Sequence, residues 1–300
     1  MKALTSKIFK LSIFLLLVTT TAHAGLKEYF VDTEWLSKNI ESVKVVDVRV
    51  SPLYYLGHID GALNIDKSEF LVTRKGVKSL IPSAEELSAL LDKYGITPDT
   101  TVVAYAEDDN PYSSRFVWTL RYHGHEKAYV LDGGFDKWAN EKRGSAILKT
   151  SHKSSSGYKV TNGENIRAEA GYLLSRLGNP STVVWDTRRD TEYLGTEVRA
   201  ERGGHIPGVQ HLNWTELQKE VDGVKVLKSE EELLSLLASK GITPDKEIVA
   251  HCQTGIRSSY ATLVLLGLGY PDVRNYDGSW IEWANDGSYP IENPALTLSN

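Results

Sequence analysis

The chain contains one cysteine, Cys252. It closes a short β-branched and apolar run, EIVAHC, and is followed by Gln253-Thr254-Gly255-Ile256-Arg257 and then at once by the apolar stretch SSYATLVLLGL. That order places a thiol at the carboxyl end of a strand, in a short loop that opens into a helix. Open α/β sheets build their sites at this place. Free backbone N–H groups and the positive end of the helix dipole favour an anion there. A thiol so placed gives up its proton more readily and becomes a nucleophile at neutral pH. Gly255 lets the loop curl, and Arg257 adds a permanent positive charge. The chemistry is covalent catalysis by a thiolate, and the same N–H groups would hold the outer sulfur of a persulfide. The competing reading is a buried structural cysteine acting as a small core hydrophobe. Strand, glycine-containing loop, arginine and helix coincide around the sole thiol, which favours the catalytic reading.

The elements that must position this loop occur twice. Val45-Val46-Asp47-Val48-Arg49 is echoed by Val184-Trp185-Asp186-Thr187-Arg188, and Gly57-His58-Ile59-Asp60-Gly61 by Gly204-His205-Ile206-Pro207-Gly208. Gly95-Ile96-Thr97-Pro98-Asp99 repeats at residues 241–245, and Asp132-Gly133-Gly134 with Trp138-Ala139-Asn140 repeats at 277–279 and 283–285. The first pair is offset by 139 residues and the others by 145 to 147, so a longer loop lies between Arg188 and Gly204 in the second copy. A period this long is a duplicated domain, not a solenoid. Residues 1–24 are read as a signal peptide, 25–145 as a first domain and 160–300 as a second. The Ser-, Lys- and Gly-rich stretch 141–162 reads as an exposed linker, and 287–300 as a tail.

Within each copy, buried strands are predicted over 43–48, 101–105, 182–185 and 247–251. Helices are predicted over 83–94 and 229–239. Each helix opens with a capping box, Ser83 with Glu86 and Ser229 with Glu232, and closes at Gly95 or Gly241. Strands alternating with helices imply an α/β fold, a mostly parallel sheet covered on both faces in each domain.

These motifs together resemble the tandem-rhodanese family, which includes thiosulfate and 3-mercaptopyruvate sulfurtransferases. The residues that carry the resemblance are Cys252 to Arg257, the Asp186-Thr187-Arg188 strand end, Gly204 to Gly208, and Tyr276-Asp277-Gly278-Ser279-Trp280. It extends from about residue 28 to 292. The resemblance implies two rhodanese-like domains, with the reactive cysteine in the second and none in the first. Ala106 stands where Cys252 stands in the second copy, and the loop after it, Glu107-Asp108-Asp109-Asn110-Pro111, is acidic and would repel an anion. The first domain is therefore expected to be inactive and to close one wall of a cleft.

The resemblance also implies a sulfur relay. Cys252 would take sulfane sulfur from thiosulfate and pass it to a thiophilic acceptor such as cyanide, a thiol or another protein. Gln253, Thr254, Gly255, Ile256 and Arg257 would cradle the small anionic donor. Gln253 and Thr254 match neither the basic loops of thiosulfate-type members nor the Gly-Ser-Gly-like loops of mercaptopyruvate-type members, so 3-mercaptopyruvate is the alternative donor. Arg188 is expected to bind the anionic substrate, since a guanidinium suits a bidentate acid; a structural ion pair with Asp186 is its alternative. From other classes, a cysteine phosphatase uses a similar Cys…Arg loop that is one residue longer. A noncatalytic sulfur carrier would also need Cys252.

Other polar residues are weaker candidates. Arg199 and Arg202 lie in the longer loop and could rim the cleft or simply be solvated. His58 and His205 occur in both copies, which argues for packing. His251 neighbours Cys252 on a strand, so its side chain points to the other face. His123 and His125 have no partners at metal spacing, so no metal and no cofactor is expected. Trp138 and Trp283, as sisters, read as core.

The formal net charge of -5 provides no basic surface for nucleic acid. Lys2, Lys7 and Lys10 precede the apolar run 11–18, and Ala22-His23-Ala24 forms a cleavage signal. The run is shorter than the ~20 residues of a membrane span. Export is therefore expected, to the periplasm if the source is bacterial, with cleavage near Ala24/Gly25, a mature charge of -8, and no stable membrane insertion afterwards.

Overall fold

A computed structural model describes residues 25–161 and 163–297. The expected signal peptide lies outside these residues. Two five-stranded sheets dominate. The first comprises β1 (Phe30–Val31), β2 (Lys44–Asp47), β3 (Leu63–Asn64), β4 (Val102–Tyr105) and β5 (Ala128–Leu131), in the order β1-β5-β4-β2-β3. The second comprises β6 (Arg167–Ala168), β7 (Thr182–Asp186), β8 (Gln210–His211), β9 (Glu247–His251) and β10 (Val273–Tyr276), in the order β6-β10-β9-β7-β8. Every pairing in both sheets is parallel. The two orders are the same, so the repeats seen in sequence are two copies of one α/β domain.

Equivalent hydrogen bonds show how close the copies remain. The Val48 N–H donates to Tyr105 O at 3.0 Å, and the Thr187 N–H to His251 O at 2.9 Å. The Phe135 N–H donates to Ala106 O at 2.9 Å, and the Trp280 N–H to Cys252 O at 3.0 Å. Ala106 thus occupies in the first domain the place of Cys252 in the second. Both capping boxes form, with Glu86 and Glu232 each closing back on its serine. Gly95 and Gly241 follow these helices with φ of +63° and +70°. The sister tryptophans Trp138 and Trp283 are both buried, and each donates its indole N–H to a backbone carbonyl at 2.8 Å.

The helix Tyr112–Tyr122 of the first domain packs against Ile256–Gly267 of the second. Each is covered by its own sheet on one side and by its sister on the other, which explains why Ile256–Gly267 is apolar nearly all round. A single apolar cluster runs through both domains, and within it Phe30 meets Tyr260 edge-on at 5.5 Å. The loop that carries Cys252, at the start of Ile256–Gly267, therefore lies at the domain boundary.

The linker and the tail are largely exposed, as expected, but both are pinned by hydrogen bonds. The linker is not free chain: Ser145–Ala146 pair antiparallel with His58–Ile59. Farther on, the Asp92 carboxylate accepts from the Gly157 N–H at 3.0 Å and the Tyr158 N–H at 3.1 Å. Tyr158 is buried, its hydroxyl 2.8 Å from His125. Likewise Glu292 in the expected tail exchanges two 2.8 Å backbone hydrogen bonds with His205. Polar composition announces the exposure of both segments but not the partners that their backbone groups find.

Candidate active site

Cys252 follows β9 directly and is buried. Its N–H donates to the Ser279 hydroxyl at 3.1 Å, and that hydroxyl donates to Tyr276 O at 2.7 Å. Gly255 holds φ at +74°, where an added Cβ would lie 2.5 Å from Asp277 O. Glycine is required at this turn for both reasons. The turn directs the Ser258 hydroxyl and the N–H groups of Ser258 and Thr254 at the sulfur. Burial pushes the Cys252 thiol up. The Arg257 charge and these hydrogen bonds outweigh it and hold the thiol below its ordinary value.

Arg257 does not face the sulfur alone. Its guanidinium makes a bidentate pair with the buried Glu192, at 2.6 and 2.8 Å. Arg199, about half exposed, reaches the same carboxylate at 3.3 Å. Burial disfavours the Glu192 charge, but Arg257 overcomes this and keeps its carboxyl below the usual range. The pair fixes Arg257 over the loop and neutralises part of its charge.

Above the loop lies an open cleft of about 320 Å³. Gln253, Thr254, Ile256 and Arg257 form its floor, Arg189, Arg199 and Trp214 line the second domain's side, and Asp109, Pro111 and Tyr112 belong to the first domain. Gln253 is pinned by donating its amide to Arg199 O at 2.9 Å. A groove of similar size, about 360 Å³, opens elsewhere along the domain boundary at Phe30, Trp35, Tyr129 and Leu227, and no thiol lines it.

The structure thus brings together Cys252, Gln253, Thr254, Gly255, Ile256 and Arg257. It does not bring Arg188 into the cleft. Arg188 is buried and holds both oxygens of Asp186, with Nε at 3.0 Å from each and Nη2 at 2.7 Å from Oδ2. Nη2 also donates to Gly204 O at 2.7 Å, and the guanidinium lies 4.4 Å from the centroid of Trp280. Arg49 repeats this arrangement on Asp47, Gly57 O at 2.7 Å and Phe135 at 4.3 Å, in the domain that has no cysteine. The expectation of substrate binding at Arg188 gives way to a structural ion pair, because the same geometry exists where there is nothing to bind.

Arg199 lines the cleft, whereas Arg202 ties down the carbonyls of Trp283, Ala284 and Tyr289 at 2.9 Å each. His58 stacks on Tyr54 and His205 on Tyr193, at 3.7 and 3.9 Å, in matching packing roles. His251 turns to Asp186, 3.8 Å away, and burial pushes its imidazole down to about 4, so it is neutral. Among the described residues no group of His, Cys, Asp and Glu side chains could hold a metal.

Sequence reasoning missed Glu192, Tyr112 and the buried Arg115 of the first domain, whose guanidinium pairs with Asp277 and donates to Gly255 O at 3.3 Å. Glu192 was findable in principle, since a buried arginine demands a counter-charge. Arg115 left no signal, because Gly255 and Asp277 lie 140 and 162 residues away, and Tyr112 left none because the cleft it lines is closed by the other domain.

A model of the rhodanese-like domain matches residues 32–141 and again 169–286. The chain belongs to the rhodanese-like family. It is 35% identical over 249 residues to a thiosulfate sulfurtransferase of Pseudomonas aeruginosa, covering 83% of this chain and 90% of that one. It is 36% identical over 280 residues to the sulfur carrier protein TtuD of Thermus thermophilus, covering 88% and 96%. Among solved structures it resembles the anaerobic ergothioneine biosynthesis enzyme of Chlorobium limicola, with a TM-score of 0.80 at 23% identity over 90% of this chain and 71% of that one. At that identity the likeness concerns the rhodanese-like fold alone.

Proposed function

We propose that this rhodanese-like protein is a sulfurtransferase that moves sulfane sulfur from thiosulfate to a thiophilic acceptor through a Cys252 persulfide. The observation that carries the reading is a single thiol, held below its ordinary pKa at a helix N-terminus, under a cleft with three arginines. In the first step the Cys252 thiolate attacks the outer sulfur of thiosulfate. A new S–S bond forms, the donor's S–S bond breaks, and sulfite leaves with the electron pair. In the second step the acceptor's lone pair attacks the outer sulfur of the persulfide and the Cys252 thiolate leaves. Cyanide would depart as thiocyanate. The anion in each step is stabilised by the loop N–H groups and Arg257.

The relatives named thiosulfate sulfurtransferase favour this donor. The relative named as a sulfur carrier supports a second reading, in which the same persulfide is handed to one partner protein without fast turnover. The apolar run and cleavage signal before Gly25 support export as part of the proposal.

The test is the intact mass of the mature protein with and without thiosulfate, beside Cys252→Ala. The expected result is a gain of one sulfur that cyanide removes and that the variant lacks. A gain with 3-mercaptopyruvate but not thiosulfate would change the donor. No gain with either would overturn the reading and leave hydrolysis of a phosphate ester as the next assay. Loading without turnover to cyanide or a thiol would favour the carrier.

A further inference from the structure

The first domain contributes more than a wall. On its helix Tyr112–Tyr122 sits Arg115, which is fully buried. Its guanidinium spans the domain boundary. Nη1 donates to Gly255 O in the catalytic loop at 3.3 Å, and Nη2 pairs with Asp277 and donates to Ser79 O at 2.7 Å. The Asn275 amide also donates to Gly255 O, at 2.9 Å. Asp277 is held from its other side by Arg167 at 3.2 Å.

The consequence lies in peptide geometry. In a trans peptide the carbonyl and the N–H point in opposite directions. Two donors pull the Gly255 carbonyl away from the cleft, so the N–H of the same peptide, that of Ile256, is turned to the other side. That group and the next N–H groups of the helix have no intrahelical acceptor. The N–H groups that reach the Cys252 sulfur, those of Thr254 and Ser258, lie on either side of this peptide.

We infer that Arg115, carried by the domain without a cysteine, is a positioning residue that locks the Gly255 peptide and so aims the loop's N–H groups at the reacting sulfur. The inference rests on Cys252 being the reacting group, as proposed above. The reciprocal position supports it. Sequence offset makes Tyr260 the sister of Arg115, and Tyr260 is buried near Asp132, the sister of Asp277. On that side nothing reactive needs aiming, and the charged fork is absent. There the domains are joined instead by the Lys225 N–H donating to Asp108 and the Leu227 N–H donating to Asp132 at 2.8 Å.

The test compares Arg115→Met, Arg115→Lys and Asp108→Ala. The last loosens the domain boundary on the reciprocal side without touching the loop. The readout is the pH profile of Cys252 alkylation by iodoacetamide, which needs no sulfur donor, together with kcat and KM for thiosulfate. Arg115→Met is expected to move the alkylation midpoint to higher pH, slowing alkylation at pH 6 by about three- to tenfold, a shift of up to one pH unit. It should lower kcat in proportion, with a smaller change in KM. Arg115→Lys keeps a charge beside Asp277 but loses the second prong, and should move the midpoint the same way by less. Asp108→Ala should lower Tm and leave the midpoint in place. A folded Arg115→Lys with the wild-type midpoint overturns the inference, as does an Asp108→Ala midpoint that moves as far as Arg115→Met. If the midpoints move as expected but the wild type takes no sulfur from any donor, the sulfurtransferase reading fails and the positioning role stands.

Discussion

Replacing Gly255 by alanine separates two costs that the structure places at one residue. The first is backbone: Gly255 sits at φ +74°, and an L-residue in the left-handed region loses about 1–2 kcal/mol. The second is steric: a Cβ there would lie 2.5 Å from Asp277 O and 3.1 Å from Arg115 Nη1, and the former is backbone that cannot swing aside. Forcing an added methyl into a packed site costs about 1–3 kcal/mol more. Gly208 is the matched control, with φ at +72° and nothing within 4 Å of the added Cβ. Gly208→Ala should therefore lose only the backbone part, about 1–2 kcal/mol, and Gly255→Ala about 2–5 kcal/mol. At about 2–4 °C per kcal/mol for a domain of this size, thermal unfolding should place Gly255→Ala several degrees below Gly208→Ala. The alkylation midpoint of Cys252 should rise in Gly255→Ala alone, because the clash pushes the loop out of register with the sulfur. Equal Tm losses in the two variants and an unmoved midpoint would refute the claim that the loop is held rigid between Asp277 and Arg115.

Two further outcomes follow from the buried charges. Arg188→Met and Arg49→Met should each cost about 3–5 kcal/mol by stranding a buried aspartate, with KM for thiosulfate unchanged in the folded protein. A selective rise in KM for Arg188→Met at nearly native Tm would return Arg188 to the substrate. Burial pushes His125 down to about 4 from an ordinary 6.5. The unfolded chain therefore takes up that proton first as pH falls, so stability present above pH 6.5 is lost progressively down to about pH 4, by about 3 kcal/mol in total. Denaturant titrations across that window should show a shallower loss in His125→Gln; parallel loss in both proteins would exclude His125 as a source.

What could be read from the sequence was what is written locally. The capping boxes at Ser83 and Ser229, the strand ending at Cys252 and the αL turn at Gly255 each depend on neighbours within a few residues, so their residue types announce them. The duplication added that Ala106 replaces the cysteine. The errors lie where one local pattern serves two ends. An arginine two residues after a strand-end aspartate fits a substrate or an ion pair equally, and only the identical geometry at Arg49 decides between them. The segment 141–162 joins the domains and is largely exposed, as its Ser, Lys and Gly announce, but that Asp92 collects its N–H groups from a distant helix end was not written in it. Arg115 was invisible because two of its three partners, Gly255 and Asp277, belong to the other copy.

The exchange of contacts across the boundary resembles that of a symmetric dimer, in which each surface meets its own copy. In a dimer of identical chains every substitution appears twice, so one subunit could not lack the cysteine while the other carried it. Joining both copies in one polypeptide removes that constraint. One loop is Glu107-Asp108-Asp109, a clamp through Asp108 on the antiparallel hairpin of Gln218–Val221 and Val224–Leu227, while its counterpart carries the thiol. The tandem arrangement is a division of labour that identical subunits could not encode.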